Sequence, residues 1–217
     1  CVNTSYSRLD EKAVNHDLVD IILGQFPHRG EDFYQNEIAA NEAKLKDSPK
    51  NFEVRNDLAV AYLKLEKWEL ALKHFNLNKQ QFPGRYKTQA NLGVMYKKMG
   101  EYEKAEFHLK KSLEIKPEGH MGLGDYYLKM AHWLKSYNEE EELNFLGIKY
   151  EDTHKTAEVA NKEYVITLIK NDRNFIDAYL VLGDILLEEK NYQLAMRAYV
   201  RAFKMKTEPI YQKQKSI

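Results

Sequence analysis

Residues 86–119 read YKTQANLGVMYKKMGEYEKAEFHLKKSLEIKPEG, and residues 52–85 read FEVRNDLAVAYLKLEKWELALKHFNLNKQQFPGR. Set one above the other, Leu92, Gly93, Tyr96, Ala105, Leu109 and Pro117 fall on Leu58, Ala59, Tyr62, Ala71, Phe75 and Pro83, each 34 positions earlier. A fixed period of about 34 residues with this content is the mark of a helix–turn–helix repeat. In each copy a small residue (Ala59 or Gly93, then Ala71 or Ala105) lets two helices approach. Tyr62, Phe75 and Tyr96 fill the space beside them. Proline then ends the second helix, because its ring clashes with the preceding turn and it lacks an N–H.

Working outward, residues 176–209 repeat the pattern with Leu182, Gly183, Ala195, Tyr199 and Ala202, and Asn191-Tyr192 in the turn. Leu186 stands where the earlier copies have tyrosine, and Pro209 comes two residues late. Residues 13–51 form an atypical N-terminal helix pair. Val14, Leu18, Ile21, Ile22 and Phe26 make one apolar stripe, Pro27-His28-Arg29-Gly30 breaks it, and a second helix runs from Glu31 to Lys46. A left-handed glycine is expected at Gly30. Residues 120–172 hold one irregular repeat. Its first helix spans Met121 to Tyr137, and Asp152 or Thr153 caps a second that runs to Lys170. Between them lies the insertion 138–152, acidic first and apolar second. Residues 1–12 read as an N-terminal tether, and 13–217 as a single solenoid. The predicted fold is all-α: a right-handed α-α superhelix of about five helix pairs.

Composition narrows the function. Hydrophobic residues make up 43% and charged residues 30%, which suits a globular chain. Lys+Arg and Asp+Glu are both 33, so nothing favours nucleic acid. No apolar run approaches the roughly 18 residues of a membrane span. The single cysteine is Cys1. A polar stretch, Val2-Asn3-Thr4-Ser5-Tyr6-Ser7, follows it. That is the pattern of a bacterial lipoprotein, in which a processed N-terminal cysteine carries the lipid. The expectation is a lipid on Cys1 and a periplasm-facing envelope location. If Cys1 is coincidental, the expected location is cytoplasmic. With one cysteine, a CxxC redox pair is excluded.

The residues quoted for the repeats resemble the tetratricopeptide repeat. The resemblance implies stacked helix pairs whose concave face, lined by the first helix of each repeat, binds peptides or protein partners. It implies groove positions Glu53, Asn56, Val60, Leu63 and Lys64 in the first clear repeat. In the second they are Lys87, Ala90, Asn91, Val94, Lys97 and Lys98, and in the last Asp177, Leu180, Asp184, Leu187 and Glu188. Such a groove is basic in its middle and acidic at its C-terminal end, which suits a peptide of mixed charge. The family's carboxylate clamp for heat-shock chaperones needs a Lys, Asn and Arg set. Only Asn91 matches it, so that role is rejected.

Catalytic and metal signatures are missing from the sequence. Seven histidines form no HExxH or Cys/His cluster, and no GxSxG, P-loop or dinucleotide fingerprint occurs. No metal or other cofactor is expected. Phe145 and Leu146, beside Gly147, would be a partner hook if the insertion is exposed. Three readings follow. The first is a non-enzymatic scaffold that binds a protein or peptide in its groove. The second is a structural envelope subunit whose groove is filled by its own insertion. The third, an enzyme, rests only on scattered histidines and acids.

Overall fold

The computed structural model describes residues 2–5, 16–137 and 142–207. Among these the chain is all-α, as expected. Eleven α-helices follow in order: α1 (Leu18–Leu23), α2 (Glu31–Asp47), α3 (Phe52–Lys64), α4 (Trp68–Gln81), α5 (Tyr86–Lys98), α6 (Tyr102–Ile115), α7 (Gly124–Ser136), α8 (Thr153–Val159), α9 (Lys162–Asn171), α10 (Ile176–Glu188) and α11 (Tyr192–Thr207). A 3₁₀ turn, Gly119–Gly122, precedes α7. The chain forms two compact units, described separately below. Among the described residues, the first holds 2–5 and 27–128, and the second holds 16–26, 129–137 and 142–207.

In the first unit α2 packs on α3, α3 on α4, and α5 on both α4 and α6. The repeat slots set the spacing. Leu58, Ala59, Ala71, Phe75, Leu92, Ala105 and Leu109 are all buried. Burying a side chain such as Phe75 is worth roughly 2–3 kcal/mol. The Asn51 side chain caps α3, accepting from the Val54 N–H at 3.2 Å. Asn78 on α4 donates to the Phe52 carbonyl at 3.2 Å, stitching the start of α3 to the end of its partner. The turns also repeat. Gly100 has φ 77°, and Glu66 and Lys190 hold the same left-handed region at 56° and 61°. A side chain there costs about 1 kcal/mol or more, against a smaller entropic cost for glycine. Lys190→Gly is therefore expected to raise stability by about 0.5 kcal/mol, read as a small rise in Tm by calorimetry.

In the second unit α10 packs against α8, α9 and α11. Here the structure corrects three expectations. First, α1 packs on α11 and α9, so the helices of 13–51 do not form a pair: α1 belongs to the second unit and α2 to the first. Ile21, Ile22 and Phe26 are buried there, and the Arg173 guanidinium lies 5.5 Å from the centroid of the Phe26 ring. Second, the predicted single helix from 152 to 170 is two helices. Asp152 caps α8 through the Lys155 N–H, Ala160 is extended, and Asn161 caps α9 through the Tyr164 N–H. The second cap competes with the continuing helix and wins. Third, Gly30 is extended (φ −79°, ψ 178°) as the N-cap of α2, and the left-handed glycine is Gly24 (φ 70°), which ends α1. Gly24, at the end of α1, is an αL helix stop.

Candidate partner-binding grooves

In the first unit residues 2–5 lie against α3 and α5. Asn3 is held at both of its backbone groups. Its N–H donates to Asn91 Oδ1 at 2.7 Å. Its carbonyl accepts from Asn56 Nδ2 at 2.6 Å and from Asn91 Nδ2 at 3.1 Å. Asn91 also donates to Asn56 Oδ1 at 2.9 Å, so the two amides orient each other. Two residues on, the Ser5 N–H donates to Asp57 Oδ1 at 3.1 Å, and the Ser5 hydroxyl donates to Asp57 Oδ2. Val2 packs against the core cluster of Leu58, Leu63 and Met95.

Main-chain recognition of this kind is tolerant of sequence. A side-chain amide offers an acceptor and two N–H donors, so it can meet both the N–H and the carbonyl of any residue but proline. Asn56 and Asn91, both expected to line the groove, are fully buried and come together here. Burial pushes the Asp57 carboxyl above its ordinary range, and the bonds from Ser5 pull against that shift.

The other predicted groove residues separate. Val60 and Val94 are buried, as is Lys97. Lys64 is half-buried and Lys98 is exposed. Lys87 pairs with Glu53 at 2.8 Å, one repeat period earlier, so part of the expected positive charge is neutralised from within the groove.

The second unit builds a comparable cradle on α10. Asp177, buried on its first turn, accepts from the Phe145 N–H at 2.6 Å and from the Tyr150 hydroxyl at 2.5 Å. Asn144 folds the insertion over itself. Its Oδ1 accepts from the Leu146 and Ile148 N–H groups, and its amide donates to Thr156 Oγ1 at 3.0 Å. The expectation of an exposed hook is corrected for Phe145, which is only 3% exposed and packs edge-on against Phe175 at 5.4 Å. Leu146 is half-buried. Burial pushes the Asp177 carboxyl up to about 7 despite its two donors. Asp184, predicted for the groove, accepts from the Tyr199 hydroxyl at 2.6 Å, and burial raises it to about 6. Cys1 lies outside the described residues.

Sequence reasoning missed Asn3, Ser5 and Asp57. The available signal was that Asp57 directly follows Asn56, an expected groove position on the same helix. Among the described residues no cluster of three or more His, Cys, Asp or Glu could hold a metal ion. No described helix is long and apolar enough to cross a membrane.

Residues 86–119 match one family model described as tetratricopeptide repeat, and residues 176–209 match a second with the same description. The chain carries tetratricopeptide repeats at 86–119 and 176–209. Each match spans one helix pair, α5 with α6 and α10 with α11, and each carries its small-residue slots where the helices touch. No curated protein matches this chain by sequence. Solved structures similar to it include a MamA described as the RS-1 ArsTM double mutant, 12% identical, covering 89% of this chain and 97% of that one, at TM-score 0.44. Another is described as a functional characterization of Pseudomonas aeruginosa PilF, 16% identical, covering 83% and 80%, at TM-score 0.40. A third, a MamA described as MSR-1, is 14% identical, covering 81% and 95%, at TM-score 0.37. Scores this low decide nothing about what this chain binds. The repeats themselves support a scaffold for protein interaction.

Proposed function

We propose that this tetratricopeptide-repeat chain is a non-enzymatic interaction module. The concave face of its first unit captures an extended segment of a protein partner by its main chain. One observation carries the reading: Asn56 and Asn91 hold the N–H and the carbonyl of the same residue, Asn3. Residues 2–5 are then an occupant supplied by the chain itself, and a partner must displace them. Binding proteins that recognise extended chain commonly draw affinity from the backbone and specificity from side-chain pockets.

The test uses two changes in opposite directions. Asn3→Pro removes a donor and is expected to open the groove, raising partner capture from cell extract about tenfold or more. Adding Asn56→Ala and Asn91→Ala removes the clamp and is expected to abolish capture. Equal recovery of the same proteins by all three forms would contradict the groove reading. The envelope location and a lipid on Cys1 belong to the same proposal as a separate part. Mass measurement of the N-terminal peptide of the natural protein tests them, and an unmodified cysteine would remove them.

A second reading is favoured by the second unit. There the insertion's own Phe145 and Tyr150 occupy Asp177, which suits a structural subunit whose groove is filled from within.

A further inference from the structure

Asp57 sits in the middle of α3 and is only 5% exposed. Its carboxylate accepts from the Ser5 N–H at 3.1 Å, from the Ser5 hydroxyl, and from Asn56 Nδ2 at 3.3 Å. Glu53, one turn earlier on the same helix, adds negative potential there. The main-chain N–H of residue 5 is common to every residue but proline and selects nothing. The hydroxyl does select. Replacing it by a methyl group leaves a buried carboxylate oxygen without that donor, which costs more than the bond itself was worth. An acidic side chain in its place brings like charges together.

The repeat register makes this a built position. Asp57 and Asn91 stand in the same slot, 34 positions apart. Asn91 takes residue 3 and Asp57 takes residue 5, so the occupant runs from α5 back to α3. The amide in one slot both donates and accepts, and so meets a whole main-chain unit. The carboxylate in the other only accepts, and so demands donors. On either side of the clamped Asn3, Val2 packs against the core cluster and Thr4 is buried.

We infer that this groove selects partner segments with Ser or Thr two residues after the clamped one, and that Asp57 is its specificity-determining residue. The inference rests on the capture reading above and adds the ligand class. The chain's own residues 2–5 are the pattern of that ligand: an apolar residue, the clamped residue, a buried residue and a hydroxyl donor.

The experiment uses the full chain carrying Asn3→Pro with Ser5→Ala, so that its own segment releases the groove. The probes are acetylated peptides with the sequence of residues 2–7 and Ser, Thr, Ala, Glu or Lys in the place of Ser5. Binding is read by NMR from the shift of the Asn91 side-chain amide signal. The Ser and Thr peptides are expected to bind about tenfold more tightly than the Ala peptide and about a hundredfold more tightly than the Glu peptide. Adding Asp57→Asn keeps an acceptor and removes the charge, so the penalty on the Glu peptide should disappear while Ser remains preferred over Ala. A purely structural Asp57 would leave the ranking of peptides unchanged. If Asp57→Asn does not fold, the ranking on the parent chain decides alone. Equal binding of the Ser, Ala and Glu peptides, lost on Asn56→Ala with Asn91→Ala, would overturn the hydroxyl selection and leave the main-chain clamp standing. Tighter binding of the Lys peptide than the Ser peptide would also overturn it. No shift with any peptide would overturn both readings. Sedimentation of the unaltered chain as a dimer that Asn3→Pro abolishes would assign the groove to a second copy and overturn the partner assignment.

Discussion

Gly183→Ala is expected to destabilise the second unit by about 2–3 kcal/mol, lowering its Tm by several degrees. A Cβ on Gly183 would lie 2.3 Å from Tyr199 Cε1 and 2.6 Å from Cδ1, closer than real contacts allow. The ring has little room to yield. Its hydroxyl is tied to Asp184 at 2.6 Å, and its neighbours Ala195, Ala198 and Ala202 are buried against α10. The α10–α11 pair must therefore spread. The matching change in the first unit, Gly93→Ala, meets Leu109 Cγ at 2.6 Å and the Ala105 carbonyl at 3.3 Å, a less severe overlap than that with Tyr199. It should cost about 1 kcal/mol. Gly183→Ala combined with Tyr199→Leu should recover most of the loss, because the two residues share one contact and their effects are not additive. Calorimetry of the single and double variants checks this. Simple additivity of the two losses would show that the close approach is not what Gly183 provides.

Acidification from about pH 7.5 to about pH 5 is expected to loosen the first unit through His108 and tighten the second through Asp177 and Asp184. Burial holds the His108 imidazolium down to about 4, with Lys79 and Lys111 adding repulsion. Its ring nitrogen is 2.7 Å from Gln89 Oε1 and its plane stacks on Tyr96 at 5.4 Å. Between its folded value and the ordinary 6.5, the unfolded chain takes the proton more readily than the folded one. Stability present above about 6.5 is lost as pH falls toward about 4. Asp177 and Asp184 have the opposite sign. Burial raises them to about 7 and about 6, so the folded state holds protons that the unfolded chain releases. Their contribution is complete below the ordinary carboxylate range and is lost as pH rises through about 6 to about 7. Hydrogen exchange followed peptide by peptide, corrected for intrinsic pH dependence, separates the units. His108→Gln should flatten the response over α5 and α6, and Asp177→Asn should flatten it over α10. Parallel changes in both units that persist in both variants would contradict these assignments.

Much of the architecture was legible because it is written in small residues at fixed spacing. Ala59, Gly93, Ala71, Ala105, Gly183 and Ala195 sit where helices touch, and a larger residue would hold the helices apart. Asn56 and Asn91 were legible as groove positions for the same reason, since the repeat register places them on the first helix of each pair. The occupant was not legible. Val2-Asn3-Thr4-Ser5 reads as a polar tether because its bonding partners, Asn56, Asp57 and Asn91, lie more than fifty residues away. Leu18–Leu23 has an apolar stripe, but a stripe does not say which helices it will meet, and α1 packs on α11 and α9. Phe145 reads as a hook by composition. Its burial depends on Asp177 accepting its N–H, a tertiary contact that local sequence does not encode.

Amide exchange at Asn3 and Ser5, measured residue by residue by NMR, tests the clamp most directly. Both N–H groups donate to side chains of the groove, so both should exchange at least a hundredfold more slowly than in an unstructured peptide. Asn91→Ala should release Asn3, while Val94 on the same helix stays protected. Exchange of Asn3 and Ser5 at the unstructured rate in the unaltered chain would contradict a groove that grips an extended backbone.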